Sequence, residues 1–198
     1  FFSSRRRHTR FRNVTGIQTC ALPICITPLV PLEQGHWLLE LFHGPTLAFK
    51  DVALQFLGKL FDHLLEARDE RITIVGATSG DTGSAAIDGV KNCSRVKIVI
   101  LYPDGRVSDV QRRQMTTVNS PNVKTLAVDG TFDDCQDLVK AMFNHAEFRD
   151  RHRLSAVNSI NWARIMAQVV YYFSAIRQVA ANGESISDGV SFSVPTGN

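Results

Sequence analysis

Short runs rich in apolar and β-branched residues recur along the chain and alternate with segments of helical periodicity. The runs are Arg71–Ala77 (RITIVGA), Lys97–Pro103 (KIVILYP), Asn122–Val128 (NVKTLAV) and Val190–Pro195 (VSFSVP). Nearly continuous apolar strands are typical of a parallel sheet with helices on each side, because such a sheet is buried on both faces. The alternation therefore predicts an α/β fold in which parallel sheets are flanked by helices.

Helices are predicted around and between these strands. The first opens at Pro45 and runs to about Leu65, with apolar residues at helical spacing. An extended segment, Ile26–Leu41, precedes it, and we expect a βα subdomain over about 71–157. Further helices are expected from the turn at Gly83, over Val107–Val118, from a Thr131 cap to about His145, and as one long helix over Trp162–Ala181.

The first 24 residues differ in composition from the rest. They carry five arginines and no acidic residue, and they lack the apolar stretch of a signal peptide. Ser3–Arg10 (SSRRRHTR) and Val14–Ile24 (VTGIQTCALPI) resemble translated sequencing-adapter DNA, so we expect residues 1–24 to be an artefact outside the fold. A basic arm or transit peptide is the alternative. The remaining 17 basic and 19 acidic residues give a net charge of −2, which argues against a nucleic-acid partner.

Other sequence features limit the possible cellular compartment, metal sites and partners of the protein. No apolar run reaches the roughly 18 residues of a membrane span, so no membrane partner is expected. Four scattered cysteines do not make a disulfide framework, which favours the reducing cytoplasm. The six histidines lack the paired spacing of zinc ligands, and no metal site is predicted. Trp162 and Phe173 are expected in the core, and nothing in the sequence indicates an oligomeric state.

A glycine-bearing turn, Thr78–Ser84 (TSGDTGS), directly follows a predicted strand and opens a helix. Free backbone N–H groups and hydroxyls at such a helix start can bind an anion, and glycines let the backbone turn tightly. The turn lacks the lysine of a P-loop and the spacing of a dinucleotide site. A plain βα turn without a ligand remains the alternative.

Lys50 lies in an unusual setting for a lysine. It is flanked by Phe49 and Val52, although lysine is rarely buried without a task. Burial of a lysine favours the neutral amine, which can attack a carbonyl group or act as a base. The alternative is a lysine on the helix surface beside Asp51.

Four segments carry a resemblance to a known family. They are His43–Asp51 (HGPTLAFKD), Thr78–Ala86 (TSGDTGSAA), Asn158–Ile165 (NSINWARI) and Ser193–Asn198 (SVPTGN). In this order they resemble the threonine synthases, which use pyridoxal 5'-phosphate (PLP) and have the fold type II, or tryptophan synthase β-like, architecture. The resemblance covers about Ile26–Asn198 and implies a partial catalytic region over 25–198, from an incomplete fold.

The resemblance also implies roles for individual residues. Lys50 is implied as the catalytic residue that binds PLP covalently. The implied cofactor-binding residues are Lys50, Asn158, Gly197 and Asn198, and the implied substrate-binding residues are Ser79, Asp81, Thr82, Ser84, Asn161 and Arg164. Without the family, Arg164 would be interpreted as a solvated helix arginine.

The implied activity is that of a PLP-dependent carbon–oxygen lyase of amino-acid biosynthesis, which converts O-phosphohomoserine and water to threonine and phosphate. A threonine synthase-like phospho-lyase, or another fold type II enzyme that eliminates or replaces a group at the β-carbon, is the nearest alternative. A catalytically dead binding module of the same fold is the non-enzymatic one. Because the chain stops inside the implied phosphate loop, we expect it to be inactive alone.

Overall fold

The computed structural model describes residues 27–156, 162–187 and 189–194. The predicted artefact, residues 1–24, lies outside these ranges. Along the chain the elements are β1 (Leu29–Glu33), β2 (His36–Leu39), α1 (Asp51–Ala67), β3 (Ile72–Ala77), α2 (Asp81–Val90), β4 (Val96–Pro103), α3 (Asp109–Thr116), β5 (Val123–Val128), α4 (Phe132–Asn144), α5 (Ala146–His152), β6 (Leu154–Ser155), α6 (Trp162–Gln168) and α7 (Val170–Ala181).

These elements fall into two compact units. The hairpin unit comprises the described residues of Phe1–His43 and Val169–Gly197, and the sheet unit comprises Gly44–Gln168. The predicted βα subdomain of about 71–157 lies within the sheet unit, and its boundaries stay a prediction. None of the helices in the described part of the chain combines the length and the apolar character that a membrane crossing requires.

In the hairpin unit, β1 and β2 pair antiparallel across a turn at Gly35, whose φ of 75° favours glycine. The side chain of Gln178 on α7 ties the helix to the strand. Its Oε1 accepts the N–H of Leu29 at 3.1 Å, and its Nε2 donates to the carbonyl oxygen of Thr27 at 2.9 Å. The predicted extended segment is therefore a hairpin held to a helix.

In the sheet unit, four parallel strands lie in the order β5-β4-β3-β6. Ile74, Ile98 and Ile100 belong to the larger core cluster, on the face that α1 and α2 cover. Val75 and Leu101 belong to a second cluster with Cys135 of α4. Helices thus cover both faces of the sheet, and the predicted α/β fold is confirmed.

Helices α1 and α2 approach each other closely at two glycines. A Cβ atom on Gly58 would lie 2.0 Å from the carbonyl oxygen of Gly89, and one on Gly89 would lie 2.5 Å from the carbonyl oxygen of Leu54. The backbones are therefore in direct contact, because neither glycine places a side chain between them. This contact sets the distance between the two helices that begin beside Lys50 and Asp81.

Several predicted elements differ from the observed ones. The helix after Pro45 begins only at Asp51, and the predicted long helix is divided at Val169 into α6 and α7. The described residues of VSFSVP, 190–194, are not a strand, because an apolar run becomes a strand only where a neighbouring strand pairs with it. The two-residue strand β6 takes the fourth place in the sheet instead.

The expectation that Trp162 and Phe173 lie in the core is wrong. Their exposed fractions are 74% and 71%. Helix α7 turns Tyr171, Ala175 and Val179 inward, so Phe173 lies on the opposite side. The expected cap of α4 is confirmed: Thr131 forms a capping box with Asp134.

Candidate active site

A tight turn places Lys50 at the start of α1. The turn begins at Gly44, whose carbonyl oxygen accepts the N–H of Leu47 at 3.2 Å, and Lys50 is the residue that caps the helix. Only 6% of Lys50 is exposed, and its Nζ lies 5.1 Å from the centroid of the Phe49 ring. The alternative of a lysine on the helix surface does not fit this burial.

Asp51 is also buried, with 2% of its surface exposed. Its carboxylate accepts the N–H of Thr46 at 2.9 Å, the hydroxyl of Thr46, and the N–H of Ala48 at 3.4 Å. Burial raises the pKa of Asp51, although these hydrogen bonds oppose the shift. Asp51 therefore holds the turn rather than pairing with its neighbour Lys50.

The turn after β3 is built around Thr78 and Gly80. Thr78 is buried, and its Oγ1 accepts the N–H groups of Gly80 and Gly83 at 3.0 and 2.9 Å. Gly80 has a φ of 138°, and a Cβ there would lie 2.2 Å from Oε1 of Gln111. Only glycine fits this position, so the chain can turn sharply and begin α2 at Asp81.

The two turns meet through one ion pair. Nζ of Lys50 donates to Oδ2 of Asp81 at 2.5 Å, across 31 positions in sequence. The lysine side chain is 8% exposed and the aspartate side chain 40% exposed, so the pair reaches solvent on the aspartate side. Because β3 ends just before this turn, the pair lies at the carboxyl edge of the sheet, where ligands of open α/β sheets bind.

The protonation of Asp81 reflects its surroundings. Burial acts to raise the pKa of Asp81, but the hydrogen bond and the charge of Lys50 outweigh it, and the net effect is a lowered pKa. Asp81 is therefore a carboxylate at neutral pH. Its ionised form is stabilised mainly by one partner, the lysine amine.

Arg164 on α6 is fully buried, with 0% of its surface exposed. Burial lowers the pKa of the Arg164 guanidinium, and the charge of Asp81 opposes this shift. The Arg164 guanidinium therefore interacts electrostatically with Asp81, the carboxylate that also pairs with Lys50. The interpretation as a solvated helix arginine is thus wrong, because no part of the side chain meets solvent.

The other predicted substrate residues of the turn occupy different environments. Ser79 is exposed and Thr82 is half-buried. Ser84 is 1% exposed, and its hydroxyl donates to the carbonyl oxygens of Gly80 and Asp81 at 3.1 and 3.0 Å. Asn158, Asn161, Gly197 and Asn198 lie outside the described residues, and their roles stay predictions.

Sequence reasoning missed three residues that build this site. Asp51 and Thr78 hold the two turns, and Gln114 of α3 donates from Nε2 to the carbonyl oxygen of Thr46 at 3.1 Å. For Asp51 and Thr78 a signal existed, since each stands beside a glycine-bearing turn where short polar side chains bond to the backbone. Gln114 carried no such signal, because its partner is 68 positions away.

Comparison with known proteins extends this picture. No protein-family model matches the chain. The threonine synthase of Pseudomonas aeruginosa is 60% identical over 173 residues, which cover 87% of this chain and 36% of that protein. The PLP-bound threonine synthase from Brucella melitensis matches with a TM-score of 0.76 and 57% identity, covering 80% of this chain and 34% of that structure.

The threonine synthase from yeast matches in the same way. Its TM-score is 0.73 at 55% identity, and the match covers 81% of this chain and 33% of that structure. The chain therefore spans about a third of the length of these relatives. The resemblance carried by the four sequence segments is confirmed, as is the fold type II architecture. Over the matched 87% of its length, the chain is homologous to the threonine synthases.

Proposed function

We propose that this chain supplies the lysine-bearing part of a threonine synthase, an enzyme that converts O-phosphohomoserine and water to threonine and phosphate. The observation that carries the proposal is the Lys50–Asp81 pair at 2.5 Å. It joins two of the segments that resemble the family, His43–Asp51 and Thr78–Ala86. A protein that needed the fold alone would have no use for a buried amine at the carboxyl edge of a sheet.

The residues present fit PLP. Lys50 offers a primary amine, the group that combines with an aldehyde, and holds it in a buried position beside a partly exposed carboxylate. Lys50 would therefore bind the cofactor covalently, and Asn158, Gly197 and Asn198 are the further proposed cofactor ligands. The chemistry that PLP supplies when bound is an electron sink for charge at the substrate α-carbon.

The residues of this chain would then carry the proton transfers and the substrate binding. Lys50 can take up a proton at Nζ and return it, and the Asp81 carboxylate stabilises that proton at hydrogen-bond distance. Burial of the Lys50 side chain limits the access of water to the amine and strengthens its interaction with the carboxylate. In the net reaction Cγ loses its bond to the phosphate oxygen and gains a hydrogen, Cβ loses a hydrogen and gains the hydroxyl of water, and the other proton of water leaves on the phosphate.

Arg164 supplies positive charge near the same pair. A buried guanidinium can offer a planar pair of donors to a carboxylate or phosphate, and O-phosphohomoserine carries both groups. We include Ser79, Asp81, Thr82, Ser84 and Asn161 with Arg164 as the proposed substrate site. Ser79 is exposed and Asp81 and Thr82 are half-buried, so these three residues of the turn remain open to a ligand.

The proposal can be tested in a chimaera. Residues 27–198 of this chain replace the matching segment of the Pseudomonas aeruginosa threonine synthase, and threonine and phosphate are measured with O-phosphohomoserine as substrate. We expect the two products in equal amounts. Lys50→Ala should abolish both, whereas Lys59→Ala, an exposed lysine on the same helix, should change neither.

The product pattern separates the alternatives. Phosphate released with 2-oxobutyrate instead of threonine would favour a phospho-lyase. PLP bound at Lys50 without any release of phosphate would favour a non-catalytic binding module and contradict the proposal.

A further inference from the structure

We propose that Asp51 is a positioning residue for the Lys50 amine, and that it acts by fixing the turn from which Lys50 projects. The inference rests on the proposed function of Lys50. Asp51 does not contact the Nζ of Lys50, whose partner is Asp81. Instead the Asp51 carboxylate bonds to the backbone on the other side of the lysine, at Thr46 and Ala48.

The turn between these two bonds is held in an unfavourable conformation. Leu47, which lies between Thr46 and Ala48, has a φ of 62°. Residues other than glycine and asparagine rarely adopt such backbone angles. Leu47 is also 63% exposed, so packing of its own side chain does not explain the conformation. A strained residue persists only where its surroundings fix it, and here the two hydrogen bonds to Asp51 flank it.

The carboxylate is enclosed by the turn that it holds. A Cβ atom on Gly44 would lie 2.3 Å from Oδ2 of Asp51, so the backbone of Gly44 passes directly over the carboxylate. On the far side, Gln114 donates to the carbonyl oxygen of Thr46 and connects the same turn to α3. Two hydrogen bonds from the turn to Asp51 and one from Gln114 to the turn therefore fix the direction of the backbone at Lys50.

A buried carboxylate is a costly way to make such a turn. Burial disfavours the ionised form of Asp51, and the raised pKa of this group agrees with that cost. A helix could be capped at its surface without any such cost. What the buried carboxylate adds is a rigid connection between the turn and the first residue of α1, which is the neighbour of Lys50.

The test measures the chemical reactivity of the Lys50 amine in the full chain without PLP. Lysines are acetylated competitively with acetic anhydride across a range of pH, and each lysine is quantified by peptide mass spectrometry. Lys50 should react more slowly than the exposed Lys59 and Lys97. In Asp51→Asn and Thr46→Val, we expect its rate to rise about fivefold, the change that corresponds to the loss of one typical hydrogen bond.

Two further variants separate positioning from general destabilisation. Thr46→Ser keeps the hydroxyl and should react like the unaltered chain. Asp137→Asn removes a carboxylate whose partner is Lys140, and it should change the labelling of Lys140 but not of Lys50. Circular dichroism under the same conditions shows whether each variant is folded. If Asp51→Asn is unfolded, the acetylation rate of Lys50 in Thr46→Val tests the proposal.

Unchanged labelling of Lys50 in the folded variants would overturn the proposal. An equal rise at all lysines would do so too, because it would show that Asp51 has only a structural role. The assay requires neither PLP nor substrate. If Lys50 responds as expected while PLP is found to bind another lysine, the positioning role stands and the proposed function fails.

Discussion

Replacement of Gly58 by alanine is the sharpest test of the helix packing behind the site. In an exposed helix, alanine stabilises relative to glycine by about 1 kcal/mol. Here the sign should reverse, because the added methyl group would lie 2.0 Å from the carbonyl oxygen of Gly89, where ordinary contacts are 3.4–4 Å. That oxygen belongs to the backbone of α2 and cannot rotate away, so the two helices must separate.

The size of the effect follows from what surrounds the contact. Leu54 and Leu57 on α1 are 3% and 1% exposed and belong to the same core cluster. Overpacking of such a core typically costs about 1–3 kcal/mol. If the helices separate by 0.5–1 Å, each van der Waals contact between them loses about a quarter to a half of its attractive energy. Because the clash is with backbone, the upper end of the overpacking range applies, about 3 kcal/mol. Subtraction of the gain in helix propensity, about 1 kcal/mol, leaves an expected decrease of about 2 kcal/mol in the free energy of unfolding of Gly58→Ala.

Urea unfolding followed by far-ultraviolet circular dichroism measures this change. The midpoint should fall while the slope stays constant, since the surface exposed on unfolding is unaltered. Lys59→Ala, one residue further along the same helix and exposed, is the matched control and should stay within about 0.5 kcal/mol. A neutral or stabilising Gly58→Ala would refute the close approach of α1 and α2.

Three other predictions concern separate parts of the sheet unit. Because the pKa of Asp81 lies below its ordinary value of 3.8, its ionised form stabilises the fold above pH 3.8 and this contribution disappears as the pH falls through the lowered pKa. Asp81→Asn should therefore reduce the thermal midpoint at pH 7, and the difference should vanish in acid; an unchanged difference at low pH would contradict the ion pair. Thr131→Ala removes the capping box of α4 and should lower the free energy of unfolding by about 1 kcal/mol, measured in urea, whereas Thr131→Ser should not. Burial raises the pKa of Cys93 to about 11, so iodoacetamide at pH 8 should modify this thiol only after unfolding, and rapid modification of the folded chain would show that it is not buried.

The strands of the sheet could be predicted from sequence because their signal is local. Ile72–Ala77 and Val96–Pro103 are apolar over nearly their whole length, and burial between two layers of helices requires this composition. Strand β6 could not be found, because its two residues become a strand only by pairing with Thr73 and Ile74. The VSFSVP run shows the opposite case, a local pattern without a partner strand among the described residues.

The site was predictable in its residue types but not in its pairing. The motif around Lys50 indicated a functional amine, and the turn at Gly80 indicated an anion site. Which aspartate faces the amine was not visible, because Asp51 is adjacent in sequence and Asp81 is 31 positions away. Only the close packing of α1 against α2 brings the second aspartate to the lysine and leaves the first to hold the turn.

We propose Lys50 as the residue to which PLP attaches. The most direct test of this assignment is reduction of the PLP-loaded chimaera with borohydride, followed by peptide mass analysis of every lysine. We expect a pyridoxyl group on Lys50, and its loss in Lys50→Ala without transfer to another site. A pyridoxyl group on Lys59 or Lys91 in place of Lys50 would contradict this assignment.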